Sequence, residues 1–162
     1  MMVAMVPLFW LVLAEEGRRQ SDIFFLWLFG KPTISLPFDL LHPSLTPADV
    51  VLKLPDVALT CSALATDFGD RVCQSPIAAF NSVPANHAAF FFAGEQLRAV
   101  KLNYQRSYHT YLIGRLLAAL GEPVAMLPLH WHAGGGRILL AGRELQADDE
   151  PALLWLAATP TE

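Results

Sequence analysis

Two apolar blocks open the chain, and helical or alternating patterns follow them. The first block, Val3 to Ala14, reads VAMVPLFWLVLA, and the second, Ile23 to Phe29, reads IFFLWLF, with the strongly polar EEGRRQSD between them. A spanning helix needs about 20 apolar residues, so neither block reaches that length by itself. The first has the length of a signal-peptide core, yet no Lys or Arg precedes it and no small-x-small cleavage site follows. Three assignments stay open: an imperfect signal or signal-anchor, a membrane-associated helical pair, or a buried element of the fold. Phe9, Trp10, Phe24, Phe25, Trp27 and Phe29 all fall in these blocks, and aromatic rings collect at membrane interfaces. Residues 1–30 are therefore expected to target or anchor the chain to a membrane.

Pro32, Pro37, Pro43 and Pro47 punctuate the next stretch, which predicts an extended connector over residues 31–46 with one short strand near Thr33–Leu36. Residues 47–162 then read as a single domain. Thr46-Pro47-Ala48-Asp49 is a helix start, with Thr46 as cap, Pro47 in the first turn and Asp49 placed to return a bond to the cap. That helix should stop near Leu54, before Pro55. Val57–Ala63 follows as a strand, and Asp67-Phe68-Gly69-Asp70 as a turn. Ala88–Ala93 and Gln96–Tyr104 are strand-like runs joined by Gly94-Glu95, a two-residue hairpin turn. Val100, Leu102 and Tyr104 share one face, and Lys101 and Asn103 the other. Ser107 is placed to cap a helix from Tyr108 to Leu120, whose buried stripe is Tyr108, Tyr111, Leu112, Leu116, Ala119 and Leu120, with Gly121 and Pro123 ending it. Strands over Val124–His132, Arg137–Leu145 and Ala152–Ala158 complete the chain, the first two joined by Gly134-Gly135-Gly136. The fold class is α+β: an antiparallel sheet with one long helix packed on a face, preceded by the apolar N-terminal segment.

Composition sharpens this. Charged residues make up 16% of the 162-residue chain, against about 25% in ordinary soluble domains, and the apolar excess lies mostly before Gly30. A net charge of −4, with 11 scattered basic residues of which only Arg18-Arg19 adjoin, excludes the basic face that nucleic-acid binding needs.

Cys61 and Cys73 bracket the turn at residues 67–70 and suit a disulfide, a bond that persists in oxidising compartments. Two buried thiols are the plainer alternative. Among the other chemistry-bearing residues, His130-Trp131-His132 stands out, because strand residues two apart face the same way and both imidazoles could hold one metal. A third ligand would have to come from His42, His87, His109 or a carboxylate. Tyr108 and His109 read as one residue packed inward and one solvated. Asp67 and Asp70 read as turn residues, and Asp148-Asp149-Glu150 as a solvated loop. The chain has no phosphate-cradling glycine loop and no G-x-S-x-G elbow. No catalytic residue or cofactor is assigned.

The hairpin FFFAGEQLRAVKLNY, the step Leu120-Gly121-Glu122-Pro123 and the strand holding Trp131 resemble, in layout, small bacterial periplasmic or envelope domains of uncharacterised type. Leu45-Thr46-Pro47-Ala48-Asp49-Val50 faintly resembles the opening helix of the small lipoprotein of the outer-membrane assembly machinery. Cys61 lies too far from the N-terminus to be a lipid-attachment cysteine. The resemblance implies a non-catalytic envelope protein that binds another protein. The expectation is thus an accessory protein, periplasmic or tethered to the inner membrane, with another protein as partner and a sheet edge such as Ala152–Ala158 or a helix–sheet groove as the contact. A metal-binding protein or metal-dependent enzyme using His130 and His132 is the alternative from another class. A subunit of a larger membrane complex is a third.

Overall fold

A computed structural model describes residues 15–158; the apolar block Val3–Ala14 lies outside the described residues. The hairpin read from the sequence is the centre of the fold. β5 (Val83–Ala93) and β6 (Gln96–Tyr104) pair antiparallel across Gly94, whose φ of 59° is the left-handed conformation that such a turn requires of its first residue. Around this hairpin the remaining elements are α1 (Glu15–Leu28), β1 (Thr33–Ile34), α2 (Pro47–Lys53), β2 (Thr60–Thr66), β3 (Gly69–Pro76), β4 (Ala79–Phe80), α3 (His109–Leu120), β7 (Ala125–Met126), β8 (Leu129–Ala133), β9 (Gly136–Leu140) and β10 (Ala152–Ala157). The main sheet runs β2–β3–β5–β6–β10–β9–β8–β7, with β4 and then β1 attached at the start of β5. Every pairing is antiparallel except β1 with β4.

The fold is therefore α+β with a mostly antiparallel sheet, but the expected single long helix on one face is not what packs against it. Ten strands and three α-helices fill the described residues, and the helices are 14, 7 and 12 residues long. One apolar core joins α2, α3 and all the strands except β2 and β7. Phe90, Val100, Leu102, Ile138 and Trp155 are fully buried in the sheet, and Val50 of α2 with Leu112 and Leu116 of α3 close over the same core. Each such side chain contributes about 1.5–3 kcal/mol by leaving water. The two core tryptophans also satisfy their polar edges. Trp131 Nε1–H donates to the Gly121 carbonyl at the end of α3, and Trp155 Nε1–H to Ala133 O, both at 2.9 Å.

α2 begins as the sequence predicts. Thr46 Oγ1 accepts the Asp49 amide while the Asp49 carboxylate accepts the Thr46 amide, a complete capping box. α3 begins differently. A 3₁₀ turn, Arg106–Tyr108, precedes it and Tyr108 takes the cap position without a side-chain bond, so Ser107 is not the cap. Ile113 and His109 complete its buried stripe, while Ala119 is exposed. Pro128, in a cis bond after Leu127, breaks the expected strand Val124–His132 into β7 and β8. The strand Arg137–Leu145 stops at Leu140.

The largest departure lies at the N-terminal side. The polar EEGRRQSD is itself helical and forms the first half of α1. Acidic residues suit the positive end of a helix, and Glu16 pairs with Arg19 one turn on. The helix closes with Gly30 at φ 78°, the Gly30 amide donating to Trp27 O and the Lys31 amide to Leu26 O, the paired bonds of a Schellman end. No helix of the described residues is long and apolar enough to cross a membrane.

Candidate functional site

β10 cannot receive a partner strand, because it lies between β6 and β9 with both sides paired. Placing it centrally rests on the pairing of Leu154 with Lys101, a contact far apart in sequence that no local pattern encodes. Among the described residues the open edges are β7, β1 and β2. β7 and β1 are two residues each, and the cis Leu127–Pro128 bond follows β7 directly. β2 has seven residues, TCSALAT, with no charge and no proline, and is exposed from Thr60 through Ala65. Edges of that length are ordinarily protected by Lys, Pro or a covering element. None of these protects β2 among the described residues.

Its backbone direction follows from the cross-strand pair Cys61–Cys73, which is a disulfide. The two Cα atoms stand 4.0 Å apart, the close spacing of an antiparallel pair that exchanges no hydrogen bonds. The ladder to β3 is carried by the flanking pairs, Thr60 with Gln74 and Ser62 with Val72. Cys61 and Ala63 therefore turn their N–H and C=O groups to the open side. One extra residue on β2 between Ala63 and Thr66 bends the strand beyond that point, so residues 60–63 are the straight portion.

Two features hold this edge in place. Cys73 is fully buried on β3, so the disulfide ties an exposed strand to a core position. Gly69 turns the β2–β3 hairpin so tightly against β5 that a Cβ there would lie 2.0 Å from Phe92 O, which leaves no room for any other residue. Beside the strand, α2 and β2 enclose an open groove of about 620 Å³, floored by Cys61, Ser62 and Ala63 and walled by Pro47, Ala48 and Val51. Leu52, at 79% exposure, also lines it, and Leu64 farther along β2 is 53% exposed. Arg71 is the one charged residue lining it, and it faces Glu95 at 3.4 Å. The groove is mostly apolar and uncharged along its floor.

His130 and His132 do come together on β8, their ring centroids 5.0 Å apart. No cluster of three His, Cys, Asp or Glu side chains suited to a metal forms among the described residues. Desolvation, then the neighbouring His132 and Arg137, push the His130 pKa down. Arg137 is the register partner of His132 on β9, and both line a second cavity of about 760 Å³ with Arg98 and Leu156.

His109 is not solvated but buried with Tyr108. Its Nδ1 pairs with Tyr104 Oη at 2.7 Å and its Nε2 with Gly142 O at 3.0 Å, so Nε2 carries the hydrogen and Nδ1 accepts from the phenol. Burial raises the Tyr104 pKa. This pair is a satisfied core network joining β6, α3 and the segment after β9. The stretch Asp148–Glu150 is likewise structural, since Glu150 accepts from Lys101 Nζ at 2.7 Å and Asn103 Nδ2 at 2.6 Å. The strand expected at Val57–Ala63 overlaps β2 at Thr60–Thr66, but that it is an exposed edge follows only from β3 pairing with β5.

No family model, curated protein or solved structure matches the chain.

Proposed function

We propose that this chain is a non-catalytic accessory protein of the cell envelope, and that it binds another protein by accepting an extended segment as an added strand along β2. One observation carries the reading. β2 is a long, uncharged, proline-free edge whose outward N–H and C=O groups at Cys61 and Ala63 have no strand partner among the described residues. The Cys61–Cys73 disulfide supports an oxidising compartment, and the layout likeness to small envelope domains points the same way.

Magnitudes say where the affinity lies. A few added backbone hydrogen bonds contribute about 1 kcal/mol each, which does not offset the cost of association. Burial of one or two apolar side chains in the groove beside Val51 and Leu52 contributes about 1.5–3 kcal/mol apiece. The expected ligand is thus an extended segment presenting a small or medium apolar residue toward α2.

A photoreactive phenylalanine analogue placed at Leu64, compared in the native host with one at Met126 beside the short edge β7, tests this. Leu64 should capture one discrete protein and Met126 should not. Ala63→Pro removes the outward amide without touching the β3 ladder, as proline is tolerated where the missing N–H faces away from the sheet, and should abolish the capture. Equal capture from Met126, or capture indifferent to Ala63→Pro, contradicts the proposal.

A further inference from the structure

α1 is attached to the domain by its polar half. Arg19 donates to Ser82 O at 2.8 Å and lies 4.9 Å over the Tyr111 ring, and Tyr108 Oη donates to Asp22 at 2.5 Å. Its apolar half is the part left in solvent. Phe24, Phe25, Trp27, Leu28 and the following Phe29 are between 54% and 79% exposed. A helix that packs on its own domain does the reverse, and an exposed apolar patch of this kind marks a binding surface for protein or membrane.

We propose that this aromatic end of α1 seats in the interfacial layer of a lipid bilayer. Three observations favour lipid over a protein groove. At 100° per residue the exposed side chains of the helix cover about 160° of its circumference, wider than the single stripe a protein groove covers, whereas a fluid interface surrounds a helix end. Phe and Trp are the residue types that settle at that depth. The chain preceding α1 carries the uncharged apolar block Val3–Ala14, which ends where α1 begins. The inference stands on α1 alone and is independent of strand addition at β2.

Flotation of the full chain with vesicles of phosphatidylcholine and phosphatidylglycerol tests it. The chain should float, and the fourfold variant Phe24→Ser, Phe25→Ser, Trp27→Ser, Phe29→Ser should lose partitioning at least tenfold while keeping its circular dichroism and its disulfide. Trp27 should be quenched by bromine-labelled lipid, with the signal lost in Trp27→Phe. Undiminished flotation of the fourfold variant would assign attachment to Val3–Ala14 alone and overturn the proposal. A parent chain that stays unbound, or that buries these rings in a self-associated species without lipid, overturns it as well.

Discussion

Thr46 accepts the Asp49 amide and Asp49 accepts the Thr46 amide, so replacing one side chain undoes a reciprocal arrangement. Thr46→Ala should cost about 1 kcal/mol in urea-induced unfolding, with Leu52 and the groove wall loosening first. The bonds from Thr46 hold the Asp49 carboxyl below its ordinary value of 3.8, and those from Lys101 and Asn103 hold Glu150 below 4.5. Their contribution is present above those values and lost on stronger acidification. Histidines act earlier. Burial, then Lys101, lowers the His87 pKa, and burial, then His132 and Arg137, lowers that of His130, both from an ordinary 6.5. The folded state therefore binds these protons less readily than the unfolded chain, so stability is full above 6.5 and falls as pH drops below it. Thermal melting from pH 7.5 to 5.5 should show the decline, and His87→Gln with His130→Gln should flatten it.

At the scale of elements, the disulfide and the ladder to β3 are what hold β2. Reduction should lower stability by roughly 3 kcal/mol for a loop of this length. Proteolysis should then cut first between Thr60 and Thr66, while the β5–β6 hairpin stays protected. That hairpin was legible because Val100, Leu102 and Tyr104 alternate with Lys101 and Asn103 around a glycine turn, and α2 because Thr46, Pro47 and Asp49 form a local signature. α1 was not legible as one helix, since its docking contacts come from Arg19 and Asp22 reaching Ser82, Tyr111 and Tyr108, residues distant in sequence. His109 was taken for a solvated residue for the same reason: its partners are Tyr104 and the Gly142 carbonyl.

For the whole molecule, the position of each strand in the sheet decides what is free to bind. Ala152–Ala157 carries an apolar pattern suited to either an edge or a centre, and only its pairing with β6 and β9 makes it central. The cysteines pair as their spacing suggests, yet that β2 is the edge depends on β3 pairing with β5. The sheet thus has one long open side, next to an apolar groove, and at another place an aromatic helix end held out from the core. Strand addition at β2 makes a demand that other modes of docking do not. Amide hydrogen exchange of the isolated chain should show Thr60 and Ser62 protected by the ladder and Cys61 and Ala63 fast, and with the captured partner bound Cys61 and Ala63 should become as slow as their neighbours. If those two amides stay fast in the complex while protection appears elsewhere, the partner does not add a strand to β2 and the central claim is wrong.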